Sequence, residues 1–254
     1  HHTLMCPSIN PKARLSRVYT PQDLRVGETV ILEEGPSKHL LTVLRHQVGD
    51  SVIVFNGDGA EYTGQIQPGP GPKACVVSLE SQATPQVESP LSIHLIQAIG
   101  RGERMDWMVQ KATELGVARI SPVFTKRTGV KLDGKRQTLR QARWQAIAIG
   151  ACEQSGRVRI PTIDAPAELS HCALDSHTPT FYLVPLAELS PTNVDKTHKL
   201  ALIVGPEGGL DPSEIDALKN NGARGLRLGP RVLRTETAGP AALACLHTLM
   251  GDMG

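Results

Sequence analysis

LALIVGPEGGLDPSEIDALKNNGARGLRLGPRVLRTETA, residues 200–238, places two strand-to-loop transitions and one capped helix in fewer than forty residues. Residues 200–204 are a short continuous apolar run, the pattern of a buried strand, and they lead into the loop Gly205-Pro206-Glu207-Gly208-Gly209. Asp211 then supplies a side-chain acceptor at the N-cap, Pro212 occupies N1 and Glu214 stands at N3, so a helix starts here; Asn220-Asn221-Gly222 stops it. A second short strand over residues 225–228 ends in Gly229-Pro230-Arg231, and Arg234-Thr235-Glu236-Thr237 opens a final helix. Both loops leave the carboxyl ends of strands, where open α/β sheets hold their ligands. The spacing satisfies neither the phosphate-binding loop, which needs Lys-Ser/Thr, nor G-x-G-x-x-G. Glu207 would compete with a phosphate for the positive end of the helix, so a cationic or neutral ligand fits better. The first loop taken alone also reads as a tight connection with no ligand.

Residues 204–210 and 228–238 resemble the two signature loops of the RsmE-type ribosomal RNA methyltransferases of the SPOUT superfamily. Ala151-Cys152-Glu153-Gln154-Ser155-Gly156-Arg157, residues 110–117, and His39 with Val43-Leu44-Arg45 extend the likeness over nearly the whole chain. The resemblance implies methylation of uridine N3 in small-subunit (16S) ribosomal RNA, with S-adenosylmethionine held in a C-terminal trefoil knot. It further implies that Val204, Gly205, Pro206, Glu207, Gly208, Gly209, Leu228, Gly229, Arg231, Val232, Leu233 and Thr235 enclose the cofactor. The fold expected is α/β: a small PUA-like β-barrel over residues 14–80, then a SPOUT domain over residues 91–254. Such enzymes are expected to be homodimers joined through their knotted domains.

At 254 residues the chain is long enough for one or two domains, and 27 Lys+Arg against 25 Asp+Glu say nothing about nucleic acid. The five cysteines show no C-x-x-C pairing, so no zinc site or disulfide framework is expected; a reducing, cytoplasmic location fits. Neither a membrane-spanning run nor a signal segment is apparent, and His1-His2 read as the remnant of a tag. Strand-like stretches at 29–33, 51–55, 61–67 and 74–79, a short helix at 36–45 and the turn Asn56-Gly57-Asp58-Gly59 make the first region β-rich. Residues 68–72 are expected to be a loop tip and the polar stretch 81–90 a linker. Beyond it, strands at 91–99 and 119–124 alternate with helices at 104–115 and 138–151, which predicts a parallel sheet.

Between residues 119 and 159 ten basic residues face two acids, a local charge of +8, which marks a surface for phosphodiester backbones. The candidate RNA contacts are Lys126, Arg127, Arg136, Arg140, Glu153, Gln154 and Arg157, with Arg17 and Arg45 from the first region. Trp107 and Trp144 are able to stack on bases or to fill a core. Uridine N3 attacks well only as its anion. Arg231 or Arg234 would stabilise that anion at the uracil oxygens and Glu236 would accept the proton. Arg234 and Glu236 equally read as an ion pair capping the last helix. The apolar residues 240–250 suit either burial in the protomer's own core or a two-fold interface. Three rival functions stand beside this one. A nucleotide-binding oxidoreductase lacks its glycine spacing. A non-catalytic RNA-binding protein would transfer no methyl group, and a methyltransferase acting on another RNA base would differ in the product nucleoside.

Overall fold

A computed structural model of the chain describes residues 15–71, 73–172 and 174–254. Arg14, where the first domain is expected to begin, Pro72 in the expected loop tip, and Cys6 lie outside the described residues. The chain divides into two compact units at Pro85/Gln86.

The first unit is a five-stranded sheet in the order β1-β3-β4-β5-β2. Its strands are β1 (Arg17–Tyr19), β2 (Thr29–Ile31), β3 (Ser51–Phe55), β4 (Glu61–Gly71) and β5 (Ala74–Ala83), with α1 (Glu34–Lys38) and a π-helical turn His39–Val43 between β2 and β3. β1 pairs with β3 in parallel and the other pairs are antiparallel. Alternation sends Tyr62 and Ile66 of β4 and Cys75, Val77 and Leu79 of β5 into one core. Two readings are corrected. Residues 68–71 are strand, not loop, because the β4–β5 ladder runs on to Gly71 opposite Ala74 across a register shift. Residues 81–83 are also strand, since a second irregularity at Thr63/Gly64 lets Ala83 reach Glu61. Composition sees Pro, Gly and Ser; it does not see the partner strand.

The second unit is a parallel sheet of order β12-β10-β11-β6-β7-β8, with β9 beside β7. Its strands are β6 (Ser92–Ala98), β7 (Arg119–Phe124), β8 (Thr162–Ile163), β9 (Ala167–Glu168), β10 (Thr180–Leu183), β11 (Lys199–Val204) and β12 (Arg224–Leu226). The helices are α2 (Arg104–Glu114), α3 (Gly134–Ser155), α4 (Pro212–Asn220) and α5 (Thr235–Met250). Alternate residues of β11 enter different cores. Leu200, Leu202 and Val204 pack with α2, α3 and α5 residues, while Ala201 and Ile203 pack with Leu218 of α4. Both faces are covered, hence the unbroken apolar run.

Helix ends follow local rules. At the C-terminus of α2, Gly116 adopts φ +87°, its N–H reaches the Thr113 carbonyl (3.0 Å) and the Val117 N–H reaches that of Ala112 (3.0 Å), a Schellman closure. Asp211 accepts from Ser213 N–H (3.0 Å) while Glu214 accepts from Asp211 N–H (2.9 Å), as the capping-box spacing predicts for α4. α3 is longer than its predicted span because Asp133 caps it early, accepting from Arg136 N–H at 2.9 Å. Ala242, Leu243 and Leu246 of α5 are fully buried among the unit's own residues. Of the large apolar residues on its outer side, Leu249 is 42% exposed.

Candidate functional site

β12, β10 and β11 are adjacent and parallel, so their carboxyl ends open side by side. A cleft of about 450 Å³ lies there, within the usual range for small-molecule sites. One wall is the glycine loop after β11, another the segment from Leu228 to Thr235, and the third is Leu183, Val184 and Pro185 at the end of β10. Of the residues expected to enclose a cofactor, Val204, Gly205, Pro206, Glu207, Gly209, Leu228, Gly229, Arg231, Val232, Leu233 and Thr235 all line it. Gly208 does not. It is a central residue of the turn that Gly209 N–H closes on the Pro206 carbonyl (2.8 Å), and its carbonyl accepts from Arg127 Nη1 at 3.0 Å. A Cβ there would meet only Arg127 carbons at 3.6 and 3.7 Å, whereas at Gly205 it would lie 3.1 Å from Leu210 Cγ and N.

Thr235, the first residue of α5, locks the two loops together. Its hydroxyl donates to the Gly205 carbonyl (2.6 Å) and accepts from Gln97 Nε2 (3.1 Å). Thr235 is buried, and this tie is why the polar run Arg234-Thr235-Glu236-Thr237 begins a helix at the cleft instead of in solvent.

Arg231 and Arg234 are residues lining the cleft, Arg231 exposed to solvent. No Arg234–Glu236 ion pair occurs among the described residues. Glu236 Oε1 lies 3.9 Å from Arg104 Nε and its Oε2 is buried without a hydrogen-bond partner. Arg104, which sequence patterns place only on an amphipathic helix, also donates from Nη1 to Glu207 Oε1 at 2.7 Å. β10 was likewise missed, although its apolar run ending in Pro185 was a readable signal. Asp211 is held below the ordinary carboxylate range by the Ser213 hydroxyl and N–H, with Arg127 and Lys126 adding to the effect.

Within the second unit the expected RNA contacts do not form one cluster. Arg157 is corrected to a structural residue: it is 6% exposed, donates from Nε and Nη2 to Glu88 (3.0 and 2.8 Å), and from Nη1 to the Thr113 and Val117 carbonyls (2.9 Å each). Arg17 is corrected in the same way, being buried, ion-paired with Glu61 and stacked 4.7 Å from the Phe55 ring centre. Lys126 donates to Ser213 Oγ (2.6 Å) and Arg127 grips the glycine loop, with Nη2 also 3.5 Å from Asp211. Arg136 is exposed, 3.6 Å from Asp133, and Arg140 is half-buried nearby on α3. Glu153 and Gln154 stand in the last turn of that helix, about 25 Å further along its axis. Arg45 is exposed and left-handed, with φ 58°. Trp144 is core, donating to Asp106 at 3.1 Å, while Trp107 is 44% exposed.

Comparison with known proteins agrees with this geometry. Residues 87–247 match the RNA methyltransferase domain family, and residues 34–80 the RNA methyltransferase PUA domain family. A Legionella pneumophila protein solved in complex with the cofactor SAM is 39% identical, with a TM-score of 0.90, and the match covers 94% of this chain and 99% of that one. The ribosomal RNA small subunit methyltransferase E of Neisseria gonorrhoeae, bound to S-adenosyl methionine, is 34% identical with a TM-score of 0.88, over 94% of this chain and 100% of that one. The enzyme of the same name from Buchnera aphidicola (strain APS) is 30% identical over 94% of this chain and 95% of its own. Loops, sheet order and full-length likeness lead to one assignment: the chain belongs to the ribosomal RNA small subunit methyltransferase E family.

Proposed function

We propose that this chain transfers the methyl group of S-adenosylmethionine to N3 of a uridine in small-subunit (16S) ribosomal RNA. The observation that carries the reading is the cleft between the two glycine loops at the carboxyl ends of β12, β10 and β11. Its walls are mostly apolar, and the first loop follows neither phosphate-binding spacing, which fits a donor held through apolar and backbone contacts. Gly205, Pro206, Gly209, Leu228, Gly229, Val232 and Leu233 would hold the cofactor. When bound it supplies an already activated methyl group, so the protein's task is alignment and exclusion of water. Arg231 and Arg234 bring positive charge to where uracil oxygens gain negative charge. Glu236, with one carboxylate oxygen unpartnered, accepts the N3 proton.

In this reading residues 14–80 form a PUA-like barrel that binds RNA, and residues 91–254 are the methyltransferase domain. A trefoil knot is supported by the path of the chain: from edge strand β12 it passes the glycine loop at Thr235–Gly205 and returns as α5 against β6, β11 and α2. Exposed Lys131, Lys135 and Arg136 with Arg140 and Arg45 would meet RNA phosphates. A homodimer is supported by apolar side chains left exposed near the cleft, Leu186 (95%) and Val232 (81%). A cytoplasmic site follows from the substrate; among the described residues no helix is long and apolar enough to cross a membrane, and no group of metal-ligating side chains occurs.

The deciding measurement is transfer of labelled methyl from S-adenosylmethionine to 16S RNA or small subunits, with the product nucleoside identified. Absence of transfer to any small-subunit substrate would refute the reading.

A further inference from the structure

The glycine loop is gripped from outside as well as from inside. Glu207 and Gly208 are the central residues of the turn from Pro206 to Gly209. Arg104 Nη1 donates to Glu207 at 2.7 Å, and Arg127 Nη1 donates to the Gly208 carbonyl at 3.0 Å. Arg104 begins the helix that follows β6, and Arg127 lies in the loop that follows β7. In the sheet order β12-β10-β11-β6-β7 these strands stand beyond β11 on the side away from the cleft. The two guanidinium groups therefore hold the turn from the side opposite the cleft, while Thr235 fixes its start through the Gly205 carbonyl (2.6 Å).

We infer that Arg104 and Arg127 are positioning residues that clamp the glycine loop and so set the affinity for the methyl donor. The inference rests on the function proposed above. A loop with three glycines in five residues has many conformations to lose on binding. Two charged donors, one on a helix and one on the loop after β7, remove part of that freedom beforehand, which raises affinity without touching the ligand. Arg104 does more than hold one loop. Its Nε is 3.9 Å from Glu236, so a single side chain relates the turn to the first turn of α5. Arg127 likewise ties the turn to the helix after it, through Asp211 at 3.5 Å. Lys126 works beside it, its backbone N–H donating to Glu214 at 2.8 Å. These partners assign cations of the basic stretch to the cofactor loop instead of to phosphate.

Calorimetric titration of S-adenosylmethionine into the full chain tests the clamp, alongside steady-state KM for RNA. Arg104→Met and Arg127→Met are each expected to weaken donor binding about fivefold, the upper end for exposed ion pairs, with the RNA KM unchanged. Arg104→Lys should restore most of the affinity. Adding Glu207→Gln to Arg104→Met should change nothing further, because the two act through one contact. Unchanged donor affinity with a raised RNA KM, or full additivity of the Arg104 and Glu207 changes, would overturn the clamp. Glu207→Gln alone, a change at an exposed side chain, provides the same readout if the arginine variants fold poorly. A wild-type chain that binds no donor would overturn the proposed function itself, an outcome distinct from either.

Discussion

The cleft at the ends of β10, β11 and β12 and the basic stretch from Arg119 to Arg159 are both conspicuous in the sequence, and they fare differently in three dimensions. In the cleft, the positions expected from the sequence come together: eleven of the twelve line one cavity. In the basic stretch, charge counted along the chain overstates charge on offer to a ligand. Arg119 is paired with Asp164 (2.8 Å), Arg143 with Asp106 (2.6 Å) and Arg157 with Glu88 (2.8 Å), while Lys126 and Arg127 serve the loop and helix after β11. The turn of a glycine loop is closed by its own backbone, here by Gly209 N–H on the Pro206 carbonyl (2.8 Å). A cation's role is decided by whichever acid or carbonyl the fold brings to it, and composition does not record that.

The sharpest way to break this comparison is Arg157→Met. If the side chain is structural, removal strands Glu88 and two carbonyls and should cost about 3–5 kcal/mol, read by urea unfolding. RNA affinity of the folded fraction should not change. A variant of normal stability that binds RNA poorly would return Arg157 to the RNA surface.

On the cleft side, Gly205→Val should lower donor affinity by roughly a hundredfold, about 3 kcal/mol, because its side chain begins 3.1 Å from Leu210. Gly208→Ala, with room at 3.6 Å, should bind almost normally. Equal effects at the two glycines would mean that Gly208 faces the cleft as Gly205 does.

A third test concerns Arg119, whose partner Asp164 also accepts from the Ser121 hydroxyl. Ser121 therefore spends its proton on Asp164 and accepts from His94 Nε2 (2.6 Å), which holds His94 in its neutral Nε2–H form. Burial, with Arg119 adding, lowers the His94 pKa to about 4. The unfolded chain takes up that proton near pH 6.5 and the folded one only near 4, so stability falls as pH drops through this window. His94→Gln should remove roughly 3 kcal/mol of that loss. An identical pH profile in denaturant melts would show that His94 titrates freely.

The smallest effect per residue is expected at Lys131, Lys135 and Arg140, whose side chains make no hydrogen bond or ion pair among the described residues. Replacing all three with Gln should raise the RNA KM and reduce the logarithmic salt slope by about one for each phosphate they neutralise. An unchanged slope would leave them as solvating charges.

What the sequence determined by itself is what is local. The Asp211/Glu214 capping box, the Gly116 closure of α2 and the Pro206–Gly209 turn depend on bonds spanning a few residues, so spacing alone specifies them. The unbroken apolar run of β11 likewise specifies a buried strand. Tertiary structure alone decided the rest. Arg104 meets Glu207 across 103 residues, Arg157 meets Glu88 across 69, and Thr235 meets Gly205 across 30. None of these partners is implied by the residues around either member. The same holds for α5: its apolar face suited either a core or an interface, and only packing against β6, β11 and α2 put Leu243 and Leu246 inside. Short-range hydrogen bonds are a property of the chain, whereas the environment of a charge or an apolar face is a property of what folds against it.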